Sequence, residues 1–317
     1  MYQEIKKQYE NSGKEKRDRI EYQKAVHSNL MKMADVKSLM EKSSVNRLVI
    51  EESGIYVELE TGIKLYMNEN DYMEVPVACL CGGDYEPEET GMVKKILSHY
   101  KEDKNFTVFD IGANIGWYSL NILNMCPHMK VFSFEPSPVT YGRLKRNFEL
   151  NGLSTGGLVN LGFYKENGTL DFYYDTEESG ASSLVNLREK EGVRKDSVQM
   201  IKLDDWAAEH EIDRLDFIKC DVEGSEFFVY QGGAKTIERC RPIIFSEMLR
   251  KWCEKFNYHP NDIIDFLGGC GYDCFVISGD RLARIDTVTE ATVETNYFFL
   301  HKEKHGDLIR KVSVEKG

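Results

Sequence analysis

The sequence predicts an α/β protein: a doubly wound, mostly parallel sheet with helices on both faces, preceded by an N-terminal helical and hairpin extension. Three observations predict it. Short apolar runs rich in β-branched and aromatic residues recur at 106–111, 129–134, 215–222 and 243–248, and between them the apolar spacing turns helical. Strands that alternate with helices pair in parallel, because a parallel neighbour is reached by a crossover helix. The first run passes straight into a glycine turn that opens a helix, and Asp110, Glu135, Asp221 and Glu247 fall at the carboxyl ends of four strands. That edge is where open sheets of this kind bind ligands.

In chain order, residues 1–45 read as a helical extension, 46–81 as a small β-hairpin region and 82–317 as the main domain. From Val26 the positions Leu30, Met33 and Met40 keep a helical spacing. The expectation is an amphipathic helix packed on its own domain; the alternative is a helix that docks a partner or joins two copies in a homodimer, for which methionines are suited. Residues 46–67 alternate in the strand manner, with turns at Glu52-Ser53-Gly54 and Glu60-Thr61-Gly62. A turn follows at 82–88 and a helix at 89–100.

Beyond the glycine turn, a second strand at 129–134 ends in Glu135-Pro136. Ser137-Pro138 then starts a helix as cap and first-turn proline, and Asn151-Gly152 ends it. Residues 158–163 read as a third strand and 169–174 as a fourth apolar run. The loop 175–183, with Gly180-Ala181-Ser182-Ser183, is an exposed candidate for substrate contacts. A short strand at 198–203 precedes a helix from Asp204. After the buried run 215–222 a helix begins at Glu226, where an acid stabilises the first turn whatever the function. Strand 243–248, helix 260–267, strand 272–278 and a last strand at 297–301 complete the pattern.

Composition narrows the function. The chain has 317 residues, 41% hydrophobic and 30% charged, with 41 basic and 53 acidic side chains for a net charge of −12. A nucleic-acid substrate is discounted, since the basic excess that phosphate contacts require is missing. The eight cysteines are scattered without the spacing of a zinc site, and even Cys270 and Cys274 read as buried free thiols on a strand. Residues 1–19 are charged rather than signal-like, and no apolar run is long enough to span a bilayer. The cytoplasm is the expected location.

The central motif lies at 106–120, FTVFDIGANIGWYSL. Gly112, Asn114 and Gly116 recur at every second position, and the pattern lacks both the third glycine of the dinucleotide fingerprint and the Lys-Ser/Thr of a phosphate loop. An acid at the turn, Asp110, suits a ligand with positive charge. A second acid about twenty residues on, Glu135, suits the two hydroxyls of a ribose. A cationic adenosine derivative, S-adenosylmethionine, satisfies both.

The order DIGANIGWYSL, FEPSP, LDFIKCDVEGSEFFVYQGGA, IIFSE resembles the FkbM family of S-adenosylmethionine-dependent methyltransferases, over roughly residues 82–301. Its most particular feature is the Lys-x-Asp-Val-Glu-Gly-x-Glu block from Lys219 to Glu226. The resemblance implies a class I methyltransferase fold, with a seven-stranded sheet whose last strand is antiparallel, and O-methylation of hydroxyls on sugars or other metabolites. It implies that Asp110, Gly112, Asn114 and Gly116 form the pocket for the methionine part of the cofactor. Glu135 would hold the ribose, Gly162 and Phe163 would lie near the adenine, and Asp221 would face the methyl group with Glu223 beside it. The segments before Gly82 fall outside the family pattern, which makes them candidates for acceptor specificity.

A sugar hydroxyl needs a base, and Asp221, crowded by Glu223 and Glu247, is the expected one. The same acids are alternatively ligands for Mg²⁺. Among the histidines, only His259 sits on a loop able to reach the site, and a structural role is expected for it and for His99, His128 and His301. The competing functions are methylation of a peptide, polyketide or other secondary-metabolite acceptor, and a non-catalytic interaction protein that binds S-adenosylmethionine.

Overall fold

A computed structural model of the protein describes residues 2–13, 15–174, 182–187 and 194–314. Helices α1 (Tyr2–Asn11), α2 (Lys16–Lys32) and α3 (Ala34–Met40) lead into an antiparallel sheet of β1 (Val45–Glu51), β2 (Gly54–Leu59) and β3 (Lys64–Tyr66). Their inward residues Val57, Leu59 and Leu65 share one apolar core with Val108, Phe217 and Phe298 of the main sheet. The expected packing of the N-terminal helix fails for α2, which buries no residue and leaves Leu30 58% exposed. Among the described residues of α1 to α3, Met40 at the end of α3 is the one apolar side chain packed on the core.

Helices α4 (Val75–Gly82) and α5 (Pro87–Ser98) follow. The first was not legible, because its run VPVACLCG is apolar on every side and carries no period. Then come β4 (Thr107–Ile111), α6 (Trp117–Met125), β5 (Lys130–Phe134), α7 (Pro138–Leu150) and β6 (Leu158–Val159). Ser137 caps α7 as expected, its hydroxyl accepting from the Thr140 N–H.

The run 158–163 is two strands, not one. β6 edges the main sheet, whereas β7 (Gly162–Phe163) pairs in a second sheet with β9 (Arg194–Ile201), on whose other side lies β8 (Gly168–Tyr174). Asn160 makes the break: its amide donates to the carbonyls of Glu135 and Pro136 and draws the chain away from the ladder. The expected strand 198–203 likewise ends early, because Leu203 opens α8 (Leu203–Glu209). Most of the candidate loop 175–183 lies outside the described residues.

The remaining elements are β10 (Phe217–Cys220), α9 (Glu226–Gly232), α10 (Ala234–Cys240), β11 (Ile243–Glu247), α11 (Arg250–Cys253), α12 (Pro260–Gly269), β12 (Tyr272–Ser278), β13 (Arg281–Ile285), β14 (Asn296–His301) and α13 (Gly306–Val312). The main sheet runs β13-β12-β14-β11-β10-β4-β5-β6, with β11, β10, β4, β5 and β6 parallel and β14 antiparallel between β11 and β12. This is the class I methyltransferase-like arrangement, with β13 added at one edge as an eighth strand. The expected count of seven misses β13 because RLARI has little strand character; the Ser278–Arg281 hairpin turn brings it alongside β12.

Period-two burial splits the core into two layers. Val108, Phe217 and Ile243 face one layer, and Phe109, Ile218 and Ile244 the other. Both layers are covered by helices, so strand ends, not faces, are left to form a site. Cys270 caps α12 rather than lying on the strand with Cys274, and all eight cysteines are free.

Candidate active site

The turn after β4 is built so that two strand-end loops can touch. Gly112 has φ +73°, and a Cβ there would lie 1.8 Å from the carbonyl oxygen of Asp221. Only glycine permits that approach. Asn114 also takes a left-handed conformation, φ +49°, which asparagine tolerates better than most residues. Its N–H donates to Glu135 Oε2 at 3.0 Å, while the Ser137 N–H donates to Glu135 Oε1 at 2.9 Å. Burial pushes the Glu135 carboxyl up to about 7, against the opposing pull of those two N–H groups.

A cleft opens at the carboxyl ends of β4, β5 and β10. Gly112, Asn114, Glu135 and Asp221 line one part of it, and Pro136, Gly162, Phe163, Phe172, Leu184 and Met200 form an apolar end. Asp110 and Gly116 stand behind the turn instead. Asp110 is fully buried, its Oδ2 accepting from the Ser119 N–H at 3.1 Å and the Ser119 hydroxyl at 2.6 Å. Gly116 caps α6 in a left-handed conformation.

Lys219 is the functional side chain that the sequence reading passed over. It sits on β10, 4% exposed, and its ammonium donates to the Gly112 carbonyl at 2.7 Å. The same ammonium lies 3.4 Å from Asp221 Oδ2 and 3.7 Å from Asp110 Oδ1, above the Tyr118 ring. Burial pulls its pKa down, but Asp221, Asp110 and Glu86 together overcome burial and hold it above the ordinary lysine range. The signal was available: a lysine inside the otherwise apolar run LDFIKCDV is buried only with partners.

Around Asp221 the carboxyls crowd. Asp221, Glu223 and Glu247 each bring an oxygen within 4.8 Å of the other two. Glu247 is raised well above the carboxylate range, by burial first and then by Asp221, Glu223, Glu226 and Glu86. Glu86 arrives from the turn before α5 with φ +45°, and accepts from the Tyr118 hydroxyl at 2.6 Å. Burial, more than its acidic neighbours, raises it too. Glu226 does more than begin a helix: its Oε1 accepts from the N–H groups of Val222 and Gly224, and its Oε2 from Tyr258, so it shapes the loop that carries Asp221 and Glu223. His259 caps α12 and His301 accepts from Glu303 and Lys304, so both serve the fold.

A cleft at the strand ends of a parallel sheet, with Glu135 at one side and an acid cluster at the other, is where an α/β enzyme of this architecture holds its ligands. The chain belongs to the family described as the methyltransferase FkbM domain, which matches residues 110–274, about half of its length. It is a methyltransferase dependent on S-adenosylmethionine. Among similar proteins, the 2-O-methyltransferase NoeI of Sinorhizobium fredii is 29% identical over 52% of this chain and 72% of its own length. Methyltransferase sdnD of Sordaria araneosa is 33% identical over 39% of this chain and 59% of its own. The hexuronic acid methyltransferase AglP of Haloferax volcanii is 23% identical, over 49% of this chain and 61% of its own length. Among solved structures, the methyltransferase FkbM of Methylobacillus flagellatus aligns with 62% of this chain and 44% of its own, at 16% identity and a TM-score of 0.39.

The residues fit that cofactor. Asn114 Oδ1 and Asp221 Oδ1 are buried without a hydrogen-bond partner among the described residues, acceptors left over for a cationic ligand, and the apolar end presents Phe163, Phe172, Leu184 and Met200, side chains suited to a flat base. No described helix is long and apolar enough to cross a membrane.

Proposed function

We propose that the chain methylates a hydroxyl of a sugar or glycan, with Asp221 as the base. The observation that carries this reading is the contrast within one carboxylate cluster. Burial and then Asp221, Glu223, Glu226 and Glu86 raise Glu247 well above the carboxylate range, while Asp221, on the wall of the cleft, has the Lys219 ammonium 3.4 Å away as its counter-ion. A carboxylate that lines the cleft with an ammonium behind it is placed to accept the proton of an acceptor hydroxyl. Two of the relatives are named for 2-O-methylation and for a hexuronic acid, which supports a sugar acceptor.

In this reading Gly112 and Asn114 hold the amino-acid part of the cofactor, Glu135 its ribose, and Gly162 and Phe163 the base. Bound S-adenosylmethionine supplies an electrophilic methyl group. The residues supply alignment, worth on the order of 7–11 kcal/mol when attack is in line, and the base. Glu223 and Glu247 orient neighbouring hydroxyls of the acceptor. Release of methyl to a panel of free sugars, glycans and nucleotide sugars tests the assignment. Asp221→Asn is expected to lower kcat by about 10²–10⁴ with cofactor affinity close to wild type; turnover near wild type would remove Asp221 from the role.

The spacing of the three carboxylates favours one second reading, a divalent cation held by Asp221, Glu223 and Glu247. An all-oxygen set is the donor chemistry Mg²⁺ selects, and a metal there would lower the pKa of an acceptor hydroxyl. Lys219 already sits against Asp221 and opposes it. Full turnover after exhaustive chelation excludes the cation; loss restored by Mg²⁺ establishes it.

A further inference from the structure

A second cleft, away from the acid cluster, has the opposite charge. It lies where α7, the segment after β3 and the β8–β9 pair meet, and Arg143, Arg146, Arg194, Gly142 and Tyr174 line it together with Asn70. Three arginines gathered on one cleft stand against the field of a chain whose net charge is −12. Each is anchored on one side: Arg143 on buried Asp71 at 3.0 Å, Arg194 on Asp196 at 3.0 Å, and Arg146 on the Ser53 carbonyl with its guanidinium 3.6 Å above the Tyr66 ring. A guanidinium has five N–H donors in a fixed fork, so anchoring one edge orients the other.

One further observation points to a ligand. Gly142 lies in the interior of α7, with a helical neighbour one turn away on each side in Val139 and Arg146, both on the same cleft. A Cβ at this position would meet nothing within 4 Å, so no protein atom requires glycine, although glycine weakens a helix interior. The space it keeps open is the floor of the cleft. Tyr174, 1% exposed, closes one end, its hydroxyl beside Thr140 and Arg143.

We propose that this cleft binds an oxyanion, a phosphate or a carboxylate, held by Arg143, Arg146 and Arg194 over the floor left by Gly142. Charge-assisted, forked contacts from arginine are the ordinary means of holding such groups. The anion comes either from the acceptor itself, such as a sugar acid or a phosphorylated sugar, or from a free effector. Thr140, one turn before Arg143 on α7, lines the cofactor cleft, so the two sites share a helix. Only the choice between these two sources rests on the sugar reading above; the binding itself does not.

The test is calorimetric titration of the full chain, saturated with S-adenosylhomocysteine, with inorganic pyrophosphate and separately with D-glucuronate. At least one anion is expected to bind, and the double variant Arg146→Gln, Arg194→Gln to weaken it by about tenfold or more. Gly142→Ala is the sharper probe: it is expected to raise Tm, as alanine does in a helix, yet to weaken the anion as well, because its methyl group occupies the floor. Absence of binding by both anions overturns the proposal, as does a Gly142→Ala variant that gains Tm and binds like wild type. In methyl-release assays, competition between the anion and the acceptor assigns the site to the acceptor, and a change in kcat without competition assigns it to an effector.

Discussion

The two halves of the main cleft treat their acids in opposite ways. On the cofactor side Glu135 is buried, yet each of its oxygens accepts a backbone N–H, from Ser137 and Asn114. On the other side Asp221, Glu223, Glu247 and Glu86 press together with one ammonium, Lys219, among them. The first half is a satisfied cradle that waits for hydroxyls. The second is electrostatically unfinished, and the misfit raises Glu247 well above the carboxylate range while Lys219 stands against Asp221. A binding surface needs only the first arrangement; proton transfer needs the second.

Breaking the contact between the halves has the largest expected effect. Gly112→Ala drives a Cβ into the Asp221 carbonyl in a left-handed backbone, so we expect loss of at least about 3 kcal/mol of stability and loss of cofactor binding, read by denaturant unfolding and calorimetry. Next comes the charge that links them. Lys219→Met leaves Asp110 and Asp221 without their counter-ion and is expected to cost about 3–5 kcal/mol at neutral pH. The sign of its pH dependence follows from Lys219 itself: its neighbours hold the ammonium above the ordinary lysine range, so the stability it contributes is complete at neutral pH and is lost only as strong alkali removes the proton, where the deficit of the variant is expected to shrink. A deficit that persists unchanged into strong alkali would mean that Lys219 acts by packing alone.

The smallest effect isolates the cofactor half. Ribose hydroxyls donate, so they are best received by ionised Glu135, whose pKa lies at about 7 in the free protein. Affinity for S-adenosylhomocysteine is therefore expected to fall as pH drops from 8 to 6, by up to about tenfold per unit below the pKa, with uptake of a proton by the free protein. Glu135→Gln is expected to bind weakly and to lose this dependence. A flat profile in the wild type would remove Glu135 from the ribose.

Much of this was legible in one dimension. The strand, glycine turn and helix around Gly112, and the acids ending β4, β5, β10 and β11, follow from period-two burial and turn chemistry, which are properties of neighbouring residues. The strand 272–278 was bounded correctly because a cysteine-glycine turn precedes it and a serine-glycine turn ends it. The helix from Ser137-Pro138 was placed correctly because its cap is local.

Tertiary contacts decided the rest. Whether 158–163 was one strand depended on Asn160 reaching the carbonyls of Glu135 and Pro136, 24 residues or more away along the chain. Whether α2 packed inward depended on what the rest of the chain places opposite it, and among the described residues of α2 none is buried. Above all, the sequence by itself determined which acids reach the carboxyl edge of the sheet, since alternation fixes where each strand ends. Only the folded chain determined their electrostatic surroundings, because these depend on the Lys219 ammonium reaching from β10 to Asp110 of β4 and on Glu86 arriving from a segment more than a hundred residues earlier, and electrostatic energy follows distance in space rather than order along the chain.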